Sequence, residues 1–153
     1  MNATAFVEAR PDEPASIALI AELDRHLAGG NPPGRPIFGL RAGEADDPAL
    51  RFFRLELDGD PVGCGALRLL EPGIAELKRM FVRPAYRGAG FGRALLEHLE
   101  RVAGESGIHT LRLETGEWLT DAVSLYRAAG YREIARYGMY VDSADSLCME
   151  KRL

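Results

Sequence analysis

Three glycines at alternate positions, Gly88, Gly90 and Gly92, sit between a strand-like run and a segment of strong helical periodicity. Each glycine weakens a helix by about 1 kcal/mol relative to alanine. Three of them at a helix entrance therefore need a compensating use. Consecutive amides in a glycine-rich turn converge on one point and form an anion nest, and a following helix adds free amides and the positive end of its dipole. Side chains at these positions would block close approach of a phosphate. Arg87 at the entrance adds a planar fork suited to phosphate oxygens. The stretch reads as strand, phosphate cradle, helix, and each charge-assisted bond there would contribute about 1.5–3 kcal/mol.

Two common cradles are excluded by spacing. Arg93-Ala94 follows Gly92 where a nucleotide-triphosphate loop needs Lys and Ser or Thr. The dinucleotide fingerprint fails at its third glycine, because Arg93 stands there, and the preceding strands form a meander and not a βαβ unit. The net charge is -4, with no overall basic excess to support a nucleic-acid partner, although Arg79, Arg83, Arg87 and Arg93 gather on one stretch.

The 153 residues suit one domain, 1–153. Strands are expected at 4–9, 50–57, 62–70, 74–82, 109–115, 131–137 and 146–151. Helices are expected from Pro14 through Leu27, after the glycine segment to about Glu105, and at 120–129. Residues 29–48 form a long irregular connection, a form that often serves as a lid or binding loop. Alternation in the 74–82 run slips after Lys78, so that Arg79 falls on the apolar parity; a bulge near 78–81 would restore it. No apolar run is long enough to span a bilayer and residues 1–10 carry no signal pattern, so a cytoplasmic location and no membrane partner are expected. Cys64 and Cys148 lack metal or redox spacing and read as small buried hydrophobes, and the scattered His26, His98 and His109 form no ligand set, so no metal is expected.

Arg87-Gly88-Ala89-Gly90-Phe91-Gly92 resembles the R/Q-x-x-G-x-G/A signature of the GNAT superfamily of N-acetyltransferases, and Leu125-Tyr126-Arg127-Ala128-Ala129-Gly130-Tyr131 is similar to that family's L-Y-x-x-x-G-F/Y segment. The resemblance covers nearly the whole chain, and the ending 146–151 looks like that of a bacterial subgroup with poorly defined substrates. It implies a single α/β (α+β) domain with a mixed, mostly antiparallel sheet of six to seven strands, helices on both faces, and fourth and fifth strands that splay apart. It implies acetyl-CoA as acyl donor, its diphosphate on the amides of Gly88, Ala89, Gly90, Phe91, Gly92 and Arg93 beside Arg87, and its pantetheine arm along Met80, Phe81 and Val82 as an added strand. One departure is Leu119, which stands where many relatives carry Asn or Gln seven residues before the tyrosine.

The implied reaction is acetyl transfer to the primary amine of a small molecule or amino acid. No Cys-His or Ser-His-Asp set is evident, which favours direct attack without an acyl-enzyme. Tyr126 takes the family's position for the acid that protonates the departing thiolate. Glu76 is the first candidate for the base, with Glu114 as competitor; the alternatives are pairing of Glu76 with Lys78 or an arginine, and of Glu114 with Arg112 or Arg79. Phe38, Glu114 and Trp118 are candidates for the acceptor pocket, and Thr120 or Asp121 for the cap of the last helix. Other readings are a non-catalytic acyl-CoA sensor and an enzyme acting on protein lysines or N-termini; a homodimer is compatible with each.

Overall fold

In the computed structural model, residues 3–30 and 43–153 are described. Phe38 and most of the long connection lie outside them. The sheet has seven strands in the order β1-β2-β3-β4-β5-β7-β6. They are β1 (Thr4–Ala9), β2 (Leu50–Leu57), β3 (Asp60–Glu71), β4 (Ile74–Val82), β5 (Thr110–Gly116), β6 (Arg132–Ile134) and β7 (Ser146–Arg152). All neighbours are antiparallel except β4 and β5, which run parallel. The helices are α1 (Pro14–Gly30), α2 (Phe91–Glu105) and α3 (Thr120–Ala128).

Helical spacing explains how α1 and α2 dock. In α2, Leu95, Leu96, Leu99, Val102 and Ala103 are buried, one stripe at intervals of three and four. With Ala129 and Tyr131 they pack on Phe53, Leu77, Leu111 and Leu113, on one sheet face. Full burial of each such side chain contributes about 1.5–3 kcal/mol. In α1 the buried stripe is Ser16, Leu19 and Leu23, against Phe52, Cys64, Ala66 and Phe81 on the opposite face. Ile17 lies about 200° around the helix from Leu19 and is exposed. Burial pushes the Cys64 thiol up to about 12, so it stays protonated and inert.

The slip of alternation in β4 is a bulge. Ala66 pairs with Lys78 and Cys64 with Phe81, so Arg79 and Met80 together oppose Gly65. Arg79 has φ 61°, in the left-handed region, which costs a non-glycine residue about 1–2 kcal/mol. The extra residue reverses the faces beyond it: Leu77 packs in the α2 core, whereas Phe81 packs under α1. Gly65 makes room on the partner strand. A Cβ there would lie 2.7 Å from Leu99 Cδ1 and 2.9 Å from Met80 Sδ.

The closing strand pair is shorter than the expected 131–137. Only Arg132–Ile134 pairs with β7; the chain then leaves the sheet, and Tyr137 reaches across to Glu76. The N-cap of α3 is Leu119, with no side-chain cap bond, so neither Thr120 nor Asp121 plays that part. Both lie inside the first helical turn, where the Val123 amide is received by the Leu119 carbonyl.

Candidate active site

Strands β4 and β5 pair only from Ile74 opposite Thr110 to Leu77 opposite Leu113. Beyond Leu77, β4 bulges and runs on to Val82 with no strand on its β5 side among the described residues, while β5 continues to Gly116 alongside β7. The two strands part in the middle of the sheet. A cavity of about 130 Å³ occupies the parting. Its walls come from both faces: Leu23 and Leu27 of α1, Ala122 and Tyr126 of α3, and Lys78, Arg79, Met80 and Glu114 from the parted strands.

The glycine turn lies at the end of β4. Gly88 and Gly90 have φ 83° and 86°, and a Cβ at either would meet nothing within 4 Å, so the space over the turn is open. Among the described residues, no carbonyl or side chain accepts from the amides of residues 88–93; the first amide of α2 to find a backbone acceptor is that of Ala94, at Gly90. Side-chain capping is absent at Gly90. These amides at a helix start, over open space, fit a diphosphate group. Arg87 is turned back, its Nε donating to the Val82 carbonyl at 2.8 Å and its guanidinium stacked 5.5 Å from the Phe81 ring centre.

The proposed acid and one candidate base share the cavity. Tyr126 is 6% exposed and contacts Tyr131 edge to face, and its hydroxyl makes no hydrogen bond to the described residues. Burial holds its phenol well above the ordinary value, so it remains a proton donor across the neutral range. Glu114 lines the same cavity and accepts a 2.7 Å hydrogen bond from Ser146 Oγ. Glu76 does not line it. Its carboxylate is 4% exposed, accepts from the Tyr137 hydroxyl at 2.5 Å and lies 3.3 Å from Lys78 Nζ. Arg112 and Arg79, the alternative partners offered for Glu114, pair with Glu150 and Asp24.

Trp118 is absent from the cavity lining. Its ring lies against Gly116, where an added Cβ would fall 1.8 Å from Cζ3, and its Nε1 is 3.5 Å from the Cβ position of Gly30. Trp118 thereby ties the end of β5 to the end of α1. Two wall and support residues, Tyr137 and Tyr140, had no sequence argument, and Lys78 entered only as an alternative ion-pair partner of Glu76. Arg79 was marked by its broken alternation, as one of the clustered arginines and as an alternative partner of Glu114, but not as part of an acceptor site. Nothing in the spacing of Tyr137 and Tyr140 points to Glu76, sixty-one residues before the former.

A parallel pair that parts at a bulge, with an amide-lined turn and helix at its end, is a specific arrangement, and comparison with known proteins decides which family uses it. Residues 12–131 match the acetyltransferase (GNAT) family. The chain belongs to that family. The GNAT domain of this chain is 40% identical to an IAA acetyltransferase from Azospirillum brasilense over 144 residues, 94% of each protein. A solved structure of a candidate acyl-CoA N-acyltransferase from Klebsiella pneumoniae matches at TM-score 0.83 and 32% identity, covering 98% of this GNAT chain and 97% of that one. The PaiA N-acetyltransferase of Thermoplasma acidophilum, solved in complex with coenzyme A, shares the fold at TM-score 0.76 and 16% identity, with 99% of each chain covered. Among the described residues no helix is long and apolar enough to cross a membrane, and no His, Cys, Asp and Glu side chains group as a metal site.

Proposed function

We propose that this GNAT protein transfers an acetyl group from acetyl-CoA to the primary amine of a small molecule by direct attack. The observation that carries the reading is the parting of β4 from β5 beyond Leu77, next to a turn whose amides, 88–93, have no acceptor among the described residues. The diphosphate of the donor would rest on those amides. Its pantetheine arm would run along Met80, Phe81 and Val82, whose β5 side has no strand among the described residues. The thioester would then enter the cavity between Tyr126 and Glu114. That the similarly folded Thermoplasma protein was solved with coenzyme A supports this donor.

Within the cavity the roles divide by environment. Glu114 takes the proton of the acceptor amine, directly or through water, so that nitrogen attacks the carbonyl carbon. The carbon–sulfur bond breaks, and Tyr126 gives its proton to the departing thiolate. Glu76, held by Tyr137 and Lys78 outside the cavity, supports the wall in place of acting as base. Arg87 would have to leave the Val82 carbonyl to reach a phosphate. The acceptor enters from the α1 side, where Leu23 and Leu27 meet the cavity.

The test is release of free CoA from acetyl-CoA across an amine library, with wild type beside Tyr126→Phe. The expected outcome is turnover of a subset of amines by wild type and a loss of ~10²-fold or more in kcat for Tyr126→Phe at unchanged acetyl-CoA affinity. Tight donor binding with no CoA release from any amine would instead identify a sensor.

A further inference from the structure

Arg79 is built into the cavity wall in an unusual way. Its side chain is 3% exposed, and Nη1 donates to Asp24 Oδ1 at 2.8 Å. Nε and Nη2 are buried and have no hydrogen-bond partner among the described residues. Buried guanidinium nitrogens are nearly always paired, because a desolvated N–H without an acceptor is costly. These two N–H groups lie on the same edge of the guanidinium, the edge that grips a planar carboxylate through two parallel bonds. The residue also occupies the left-handed backbone position of the bulge, so the fold holds this side chain at a strained site. Its partner among the described residues, Asp24, has a side chain 48% exposed, so that charge is screened by water while the guanidinium is not. The second cation on the wall, Lys78, is already paired with Glu76.

We propose that the Nε–Nη2 edge of Arg79 binds a carboxylate of the acceptor, which makes the acceptor an amino acid or a related aminocarboxylate. The inference rests on the acetyl-transfer reading and deepens it. The carboxylate docks against Arg79 on the β4 wall, and the amine of the same molecule is presented toward Glu114 on the β5 wall. Both residues line one cavity of about 130 Å³, a volume suited to a small acceptor. Acetylation forms the nitrogen–carbon bond and leaves the carboxylate untouched, so the product keeps its grip on Arg79 until the amide is released with it.

The experiment compares free amino acids with their primary amides as acceptors, by CoA release and by calorimetry on the CoA-loaded protein, in wild type, Arg79→Lys and Arg79→Gln. Wild type should prefer the acid over its amide by at least ~10²-fold in kcat/KM, because a buried fork facing an amide is left partly unpaired. Arg79→Gln should bring acids and amides to within about threefold of each other, through KM, with acetyl-CoA affinity retained. Arg79→Lys should restore only part of the preference, since it keeps the charge and loses the fork. If either variant fails to fold, the wild-type ratio decides alone. Equal use of acids and amides by wild type would overturn the assignment of Arg79 and leave acetyl transfer standing. If no acceptor of either kind is turned over, acetyl transfer to small amines falls; the assignment then survives only if acids still bind more tightly than amides, and is overturned if they do not.

Discussion

At the scale of single residues, two carboxylates that look equivalent in sequence have different surroundings. Glu76 and Glu114 both lie on strands beside the parting, but Glu76 is enclosed by a hydroxyl and an ammonium, whereas Glu114 reaches the cavity. We expect Glu114→Gln to lower kcat by ~10²-fold, the scale of a lost general base, with little change in melting temperature. Glu76→Gln should keep kcat within a few-fold and destabilise the fold by about 3 kcal/mol, because Lys78 would be left buried beside a neutral group. Parallel pH–rate profiles and thermal melts of the two variants check this. Loss of turnover in Glu76→Gln with Glu114→Gln unaffected would move the base to Glu76. Sequence reasoning found both residues, and also the Lys78 partner of Glu76 as an alternative. It put Glu76 first without sight of the Tyr137 contact, which is delivered by a loop whose path no local pattern encodes.

At the scale of elements, the bulge and the parting do most to shape the site. The bulge was legible because a charged residue, Arg79, sits on the wrong parity of an otherwise alternating strand. The parting was not legible from β4 or β5 alone; it follows from the bulge together with the support that holds the end of β5 in place. Part of that support is the Trp118 ring on Gly116. We expect Gly116→Ala to displace the ring and destabilise the protein by about 1–3 kcal/mol, the range for overpacking a tight site. A denaturant melt checks it, and an unchanged midpoint would show that the ring is not fixed there. Strand and helix positions were mostly read well because their stripes repeat. Where a segment is short and polar, as at 131–137, tertiary contacts outweighed β propensity.

At the scale of the whole molecule, two layers of helix enclose a sheet whose cores hold several buried phenols. Burial raises Tyr126, and burial with the nearby Glu100 or Glu76 raises Tyr131, Tyr137 and Tyr140. A raised phenol weighs against the folded state once unfolded tyrosine ionises, because the unfolded chain then gives up its proton at a pH where the buried hydroxyl keeps it. The stability linked to these phenols is therefore fully present below the unfolded value of about 10 and is lost as pH rises from there through the higher folded values. The melting temperature should hold level on this account to about pH 10 and fall steeply beyond it, as followed by circular dichroism. A level curve past pH 11 would contradict the burial of these hydroxyls. The family was legible from two short motifs in order. The acceptor was not, since the cavity wall is assembled from α1, α3 and two parted strands that are far apart in sequence. The central claim is that the amides of residues 88–93 bind the diphosphate of coenzyme A. The most direct measurement is a two-dimensional amide spectrum of the isotopically labelled protein titrated with coenzyme A. The Gly88, Gly90 and Gly92 signals should move together and saturate with the same affinity as calorimetry reports; signals that stay fixed while the ligand binds would contradict the claim.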